Sequence, residues 1–371
     1  MGRLLTDEQQ LIMQTVRQFA VEEIRPRAME VDLGNTFPFD LNKRCGELGF
    51  IGADVPEEFG GAGLDINSSL LILEEISKEC PALGCSMMVS MTLPLFLCCS
   101  ANPEHKQYIK PLISGEKVGA IAQTDPAGVL NMAEWPILAV REGDEFVLNG
   151  TKLFVTNSHA ADYYMVSGLC EGKPCDFFVK KDSPGFGSGH IERKMGMNGA
   201  SNGTITLHNV RIPVSDQLIV SSYLPNLAAG YLHMSAVALG TMEGAYEKTR
   251  EYLNIRTNKM RPIIEMQVAA HKLARIKTKI EVCRSFINDV STLIEANRPD
   301  NTLIRMVKAF VTETAVDCTR ECVQLYGGLG YCEDTGIAHY MRDAMGTTVG
   351  DLTSDIQYDL IAKKLAKQDK K

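Results

Sequence analysis

Apolar residues recur at steps of three and four near the start of the chain. Ile12, Val16, Phe19, Ala20 and Ile24 share one face, and Thr6 with Gln9 supplies a capping box just ahead of them. The spacing predicts a helix that Pro26 closes. Further helices are predicted at 40–49, 67–79 and 103–113. The string Pro56-Glu57-Glu58-Phe59-Gly60-Gly61-Ala62-Gly63 reads as a loop, because proline and clustered glycine punctuate it. Near residue 118 the period changes to two. Segments 137–141 and 146–148 flank a Glu-Gly-Asp-Glu turn as a hairpin, and 152–156, 163–169, 176–179 and 204–207 read as further strands. From about 226 the helical period returns. Leu273, Ile276, Ile280, Cys283, Ile287, Val290 and Ile294 form one long stripe, and helices near 226–253, 263–297, 302–326 and 353–367 suggest an antiparallel bundle.

The pattern predicts a mainly α protein with a central β domain: helices over 1–117, a small β unit over 118–222 and a helical bundle over 223–371. With no helix between its strands, the β unit disfavours a doubly wound nucleotide-binding sheet. Two stretches, 80–103 and 217–242, lack charge for long enough to raise a membrane question. Pro81, Gly84 and Pro94 interrupt the first, and Pro225 and Gly230 the second. Buried core helices are the better reading, and no membrane span is expected.

Composition narrows the classes. The 371 residues carry a net charge of −8, with 23% charged and 45% hydrophobic residues, as in an ordinary globular protein. The acidic balance argues against nucleic acid as a partner. Eleven cysteines lie scattered with no Cys-x-x-Cys, and no leader-like segment is seen, so reduced cysteines and a cytoplasmic location are expected. The seven histidines show no metal-ligand spacing, so no metal is expected.

Five strings carry more specific information. They are the Pro56–Gly63 loop, Gly150-Thr151-Lys152-Leu153-Phe154-Val155-Thr156-Asn157, Gln324-Leu325-Tyr326-Gly327-Gly328-Leu329-Gly330-Tyr331, Arg342-Asp343-Ala344 and Thr353-Ser354-Asp355-Ile356-Gln357. In this order, and across nearly the whole chain, they resemble the acyl-CoA dehydrogenase family. The resemblance implies that family's α–β–α three-domain architecture, one FAD per subunit, a CoA thioester substrate and a homotetramer. It also implies a carboxylate that removes the α-proton while a β-hydride passes to the flavin, with electrons then leaving to an electron-transfer flavoprotein.

The family's base is a Glu before Gly-Thr. Ungapped counting between the last two strings puts Asp351 there, within Val349-Gly350-Asp351-Leu352-Thr353. Three departures follow: Asp for Glu, Gly350 for a bulky aromatic, and Leu352 for Gly. The shorter acid and the missing aromatic suggest a bulky α-substituted or cyclic acyl group, with cyclohexane-1-carboxyl-CoA as the specific guess. The alternative for Asp351 is a helix N-cap. By resemblance, Thr124, Phe154 and Thr156 contact the flavin. Arg256, Gln324, Gly327, Gly328, Thr353 and Gln357 hold the rest of the dinucleotide, partly from a neighbouring subunit. Tyr231, Gly350 and Met91 are candidate substrate contacts. The family's substrate-touching Ser is unmatched near Val129-Leu130-Asn131. Other chemistries stay open: an Asp-base flavin oxidase similar to nitroalkane oxidases, an enoyl-CoA reductase running in reverse, or a scaffold without activity.

Overall fold

The computed structural model describes residues 5–128, 138–219 and 230–368. Segments 129–131 and 226–229, and position 137, which bear on the readings above, lie outside the described residues.

The N-terminal helices are α1 (Asp7–Phe19), α2 (Ala28–Gly34), α3 (Phe39–Glu47), α4 (Ile66–Glu79), α5 (Pro81–Cys99) and α6 (Ile109–Ile113). Thr6 and Gln9 close both halves of the capping box on α1. Pro26 does not simply end that helix. The chain widens into a π turn over Ala20–Ile24, tightens into a 3-10 turn over Arg25–Arg27, and resumes as α2. Proline lacks the N–H that an α ladder needs, so it sits in the first turn of a restarted segment. The expected helix at 103–113 is a 3-10 turn over Pro103–Tyr108 followed by α6.

The strands are β1 (Gly119–Ala122), β2 (Leu138–Glu142), β3 (Glu145–Val155), β4 (Tyr163–Cys170), β5 (Lys173–Lys180), β6 (Phe186–Ile191) and β7 (Gly203–Pro213). They form one sheet in the order β1-β4-β2-β3-β7-β6, with β5 paired to β4. Only β1–β4 and β2–β4 are parallel among the described pairings. Segments 146–148 and 152–156 prove to be one long strand, β3, which ends in a register shift between Lys152 and Val155 on its partner β7. A two-stranded ribbon, β8 (Thr257–Asn258) with β9 (Arg261–Pro262), leads into the last helices.

The C-terminal bundle comprises α7 (Gly230–Ile255), α8 (Gln267–Glu295), α9 (Asn301–Leu325), α10 (Ala338–Val349) and α11 (Ser354–Gln368). The stripe read from the sequence on α8 is buried in the structure, from Leu273 to Ile294. Helix α5 is long and apolar enough to cross a membrane by composition, but most of it is covered inside the fold. It packs against α4, α7 and β1. All eleven cysteines are free, and most are buried.

Candidate active site

The site is built at the turn between α10 and α11. Gly350 closes α10 by donating its N–H to Gly346 O at 2.9 Å. The next two residues are left-handed: Asp351 at φ 51° and Leu352 at φ 70°. Neither is glycine, and each such residue costs roughly 1–2 kcal/mol. Such a turn persists only where its surroundings fix it. Here Gln357 Nε2 donates to Asp351 O at 3.0 Å, and Lys308 Nζ donates to Leu352 O at 2.7 Å and to Thr348 O at 3.2 Å. Gln357 is itself held by Arg305 at 2.8 Å, and the Arg305 guanidinium lies 5.1 Å over the Tyr231 ring.

Asp351 is not an N-cap. Helix α11 starts at Ser354, and it is the Thr353 hydroxyl that faces the N–H of Ile356. Among the described residues the Asp351 carboxylate accepts no hydrogen bond. By surface area the residue is exposed, yet its carboxyl is crowded by protein atoms. Partial dehydration pushes its carboxyl up to about 6, while the charge on Lys308 pulls the other way. Lys308 is fully buried. Burial lowers its ammonium to about 8, opposed by Asp351 and then by Glu313.

The β unit approaches this turn through α5. Ser86 donates to Asn157 Oδ1 at 2.7 Å, and Asn157 Nδ2 returns a bond to Ser86 O at 3.1 Å. Next door, Cys85 is buried, and after burial itself Asp351 is the largest influence raising its thiol. Helix α10 also packs on the loop after β6, where Asp343 accepts from the Met197 N–H. The chain just past the irregular end of β3 thus meets α5 one residue from Cys85. At that irregularity Phe154 takes φ 53° and turns its ring outward, 61% exposed. Asn202 Nδ2 donates to Thr156 Oγ1 at 2.8 Å and also approaches Phe154 O at 3.4 Å. Thr124 joins them because Leu153 N–H donates to Thr124 O at 2.7 Å. The buried Lys152–Asp125 pair at 3.2 Å, with Lys152 Nζ also on Gln123 O, pins that loop. An exposed ring beside the Thr156 hydroxyl suits a flat heteroaromatic group with a polar edge.

Other expected contact residues lie deeper. Met91 is fully buried in the helical core, because α5 is apolar on every face and is packed against helices and sheet alike. Gln357 is also fully buried, and both ends of its amide bond within the chain, so it braces the Asp351 turn. The space beside Gly350 is not an open wall. A Cβ there would come within 2.8 Å of Met234 Cε, so the α7 methionine fills it with the end of a flexible side chain. Tyr231 is half-buried one turn from Met234.

The remaining dinucleotide candidates sit elsewhere. Tyr252 stacks on Tyr326 at 4.1 Å, which ties the C-terminal end of α7 to that of α9. Arg256 and Gln324 are exposed there. Gly327 has φ 63°, and a Cβ at Gly327 or Gly328 would meet nothing within 4 Å. At 1.5 Å per residue, Met234 and Arg256 are roughly 30 Å apart along α7.

Sequence reading missed Lys308, Met234 and Asn202. Lys308 left a signal: it follows Ile304 and precedes Val311, Thr312 and Ala315 on the buried face of α9. A lysine at a core position needs a partner.

The chain matches the acyl-CoA dehydrogenase N-terminal domain over residues 6–116, the middle domain over 120–210 and the C-terminal domain over 223–366. It belongs to the acyl-CoA dehydrogenase family. It is 32% identical to the short-chain-specific acyl-CoA dehydrogenase of Clostridium acetobutylicum, across 97% of this chain and 98% of that one. It is 31% identical to the cyclohex-1-ene-1-carbonyl-CoA dehydrogenase of Syntrophus aciditrophicus, across 95% and 88%. A glutaryl-CoA dehydrogenase from Mycobacterium smegmatis, solved in complex with FADH2, superposes with a TM-score of 0.92 at 25% identity, covering 98% of this chain and 95% of that one. The acyl-CoA dehydrogenase is thus an FAD-dependent oxidoreductase. Phe154, Thr124, Thr156 and the open glycines fit such a cofactor.

Proposed function

We propose that this acyl-CoA dehydrogenase forms a 2-enoyl thioester from a compact acyl-CoA, with Asp351 as the base that takes the α-proton. The observation that carries this reading is the Asp351 turn. A carboxylate without a hydrogen-bond partner among the described residues is held in a strained left-handed turn by two buried anchors. A carboxyl raised to about 6 is still ionised at neutral pH and is a stronger base than an ordinary aspartate. FAD, when bound, accepts the β-hydride. Phe154 would hold its ring, and Thr156 and Thr124 would hold its polar edge. Met234 and Tyr231 border the acyl group.

An aspartate is one methylene shorter than the family's glutamate, so the α-carbon must come closer to the turn. A cyclic or branched acyl group, such as cyclohexane-1-carboxyl, is the substrate class that this shorter reach favours. The likeness to the Syntrophus relative supports keeping a ring in the test set. Reduced protein would pass electrons to an electron-transfer flavoprotein.

The test is a panel of straight, branched and cyclic acyl-CoAs scored under nitrogen by bleaching of the flavin, with Asp351→Asn alongside. Wild type should bleach fastest with a branched or cyclic member and stay bleached for minutes after air is admitted. D351N should keep its FAD and slow by at least about 10²-fold. Near-normal bleaching by D351N would remove the base assignment. Fastest bleaching by an unbranched chain would remove the substrate class, and rapid reoxidation in air would favour an oxidase.

A further inference from the structure

We propose that Lys308 is a positioning residue for this reaction: its buried ammonium clamps both ends of the turn that presents Asp351 and puts a positive charge beneath the carboxylate. The inference rests on the reading of Asp351 as base.

The geometry is specific. Lys308 Nζ bonds the carbonyl of Thr348, in the last turn of α10, and that of Leu352, just past the acid. Those two carbonyls bracket Gly350 and Asp351. With Gln357 on Asp351 O, the carbonyls of both left-handed residues are held from outside the turn. Without Lys308 the Leu352 carbonyl loses this partner, and the strain at φ 70° has one restraint fewer.

A clamp alone does not call for a charge. A buried ammonium costs several kcal/mol of lost hydration, and an uncharged amide could reach a carbonyl. The Asp351 carboxylate opposes that cost in part, although burial still outweighs it. Among the described residues these groups face the pair. On α9, Lys308 is flanked by Glu313 and by Arg305, the latter turned toward Gln357. From α5, Cys85 is the titratable group in range of Asp351, and it also senses Lys194 and Asp343. Lys308 is the group that pulls the Asp351 carboxyl down against its dehydration. It therefore keeps the acid ionised where the reaction needs a base, and it does so without touching the substrate.

The experiment compares full-length, FAD-loaded wild type, Lys308→Gln, Lys308→Met, Lys308→Arg and Leu352→Gly. The readout is the rate of flavin bleaching against pH, using butyryl-CoA or whichever panel member bleaches fastest. K308Q and K308M should bleach at least about tenfold more slowly at saturating substrate, with little change in KM. Their acidic limb should move up by about one pH unit, because the opposite charge is gone. K308R should bring the limb back even where its bulk slows the rate. L352G keeps the charge and the carbonyl that Lys308 bonds, and it relieves the left-handed strain, so it should leave both rate and limb in place. Added to K308Q it should recover part of the rate, because the relaxed turn needs the clamp less, while the limb stays shifted. Wild-type rate and limb in K308Q and K308M with D351N inactive would overturn the role of Lys308 alone. A K308Q L352G double variant no faster than K308Q would overturn the clamp. An active D351N would instead overturn the base itself.

Discussion

Asp351 is asked to be ionised where the protein dehydrates it, and the cost of that falls on stability. Its carboxyl rises to about 6 in the fold from an ordinary value near 3.8. Above pH 6 it is charged in both folded and unfolded chains, and the fold bears the dehydration. As pH falls from 6 toward 4 the folded form takes up its proton first, and the penalty fades. Asp351→Asn should therefore raise the melting temperature at pH 7 while abolishing flavin reduction, and the gain should disappear by about pH 4. Thermal melts of both proteins at the two pH values check this, and an N variant no more stable at pH 7 would remove the dehydration account. The position of this acid was legible from the strings around it. Its surroundings were not. Gly350 looked like a missing wall, but its neighbour Met234 lies on a helix distant in sequence, and no local pattern tells which side chain will fill a gap.

Helices show the same division. A sustained 3.6 period made α8 readable end to end, because one face meets the core and the other meets water. Helix α7 is buried over most of its first four turns, so it has no such contrast, and only its uncharged composition marked it as deep. The turn over Pro26 and the short α10 were lost for the opposite reason, being too brief or irregular to show a period. What the sequence could not tell is how close α7 comes to α4. A Cβ on Gly240 would lie 2.2 Å from Glu74 O, and one on Gly244 would lie 2.1 Å from Lys78 O. Both obstacles are backbone, which cannot swing aside. This close approach also lets Glu243 of α7 meet Lys78 of α4 at 3.4 Å and share Arg284 of α8 with Glu74. Gly240→Ala should thus cost about 1–3 kcal/mol in urea unfolding, although alanine is the better helix former. An unchanged or more stable G240A would mean that α4 and α7 are not locked at this distance.

At the scale of the whole molecule, the residues assigned to one cofactor lie in separate places. Phe154, Thr156 and Thr124 lie together at the end of β3, and Asp351 lies near the start of α7, where Met234 meets Gly350. Arg256, Gln324, Gly327 and Gly328 gather near its far end, where Ile255, Met260, Leu329 and Tyr331 are also exposed. Exposed apolar side chains around open glycines suit burial against another chain. In a symmetric oligomer the far end of one subunit would then complete the flavin end of its partner, each copy giving what the other lacks. Two variants, each inactive alone, separate this arrangement from a site made within one chain. Asp351→Asn removes the base, and Arg256→Glu repels a phosphate. If sites are shared, a hybrid of the two subunits has one site carrying both defects and one carrying neither. If each chain builds its own site, every site in the hybrid has one defect. Differently tagged subunits, co-expressed and purified through both tags, should therefore recover about half the flavin reduction of wild type per dimer. A hybrid as inactive as its parents would show that the two ends do not meet across subunits.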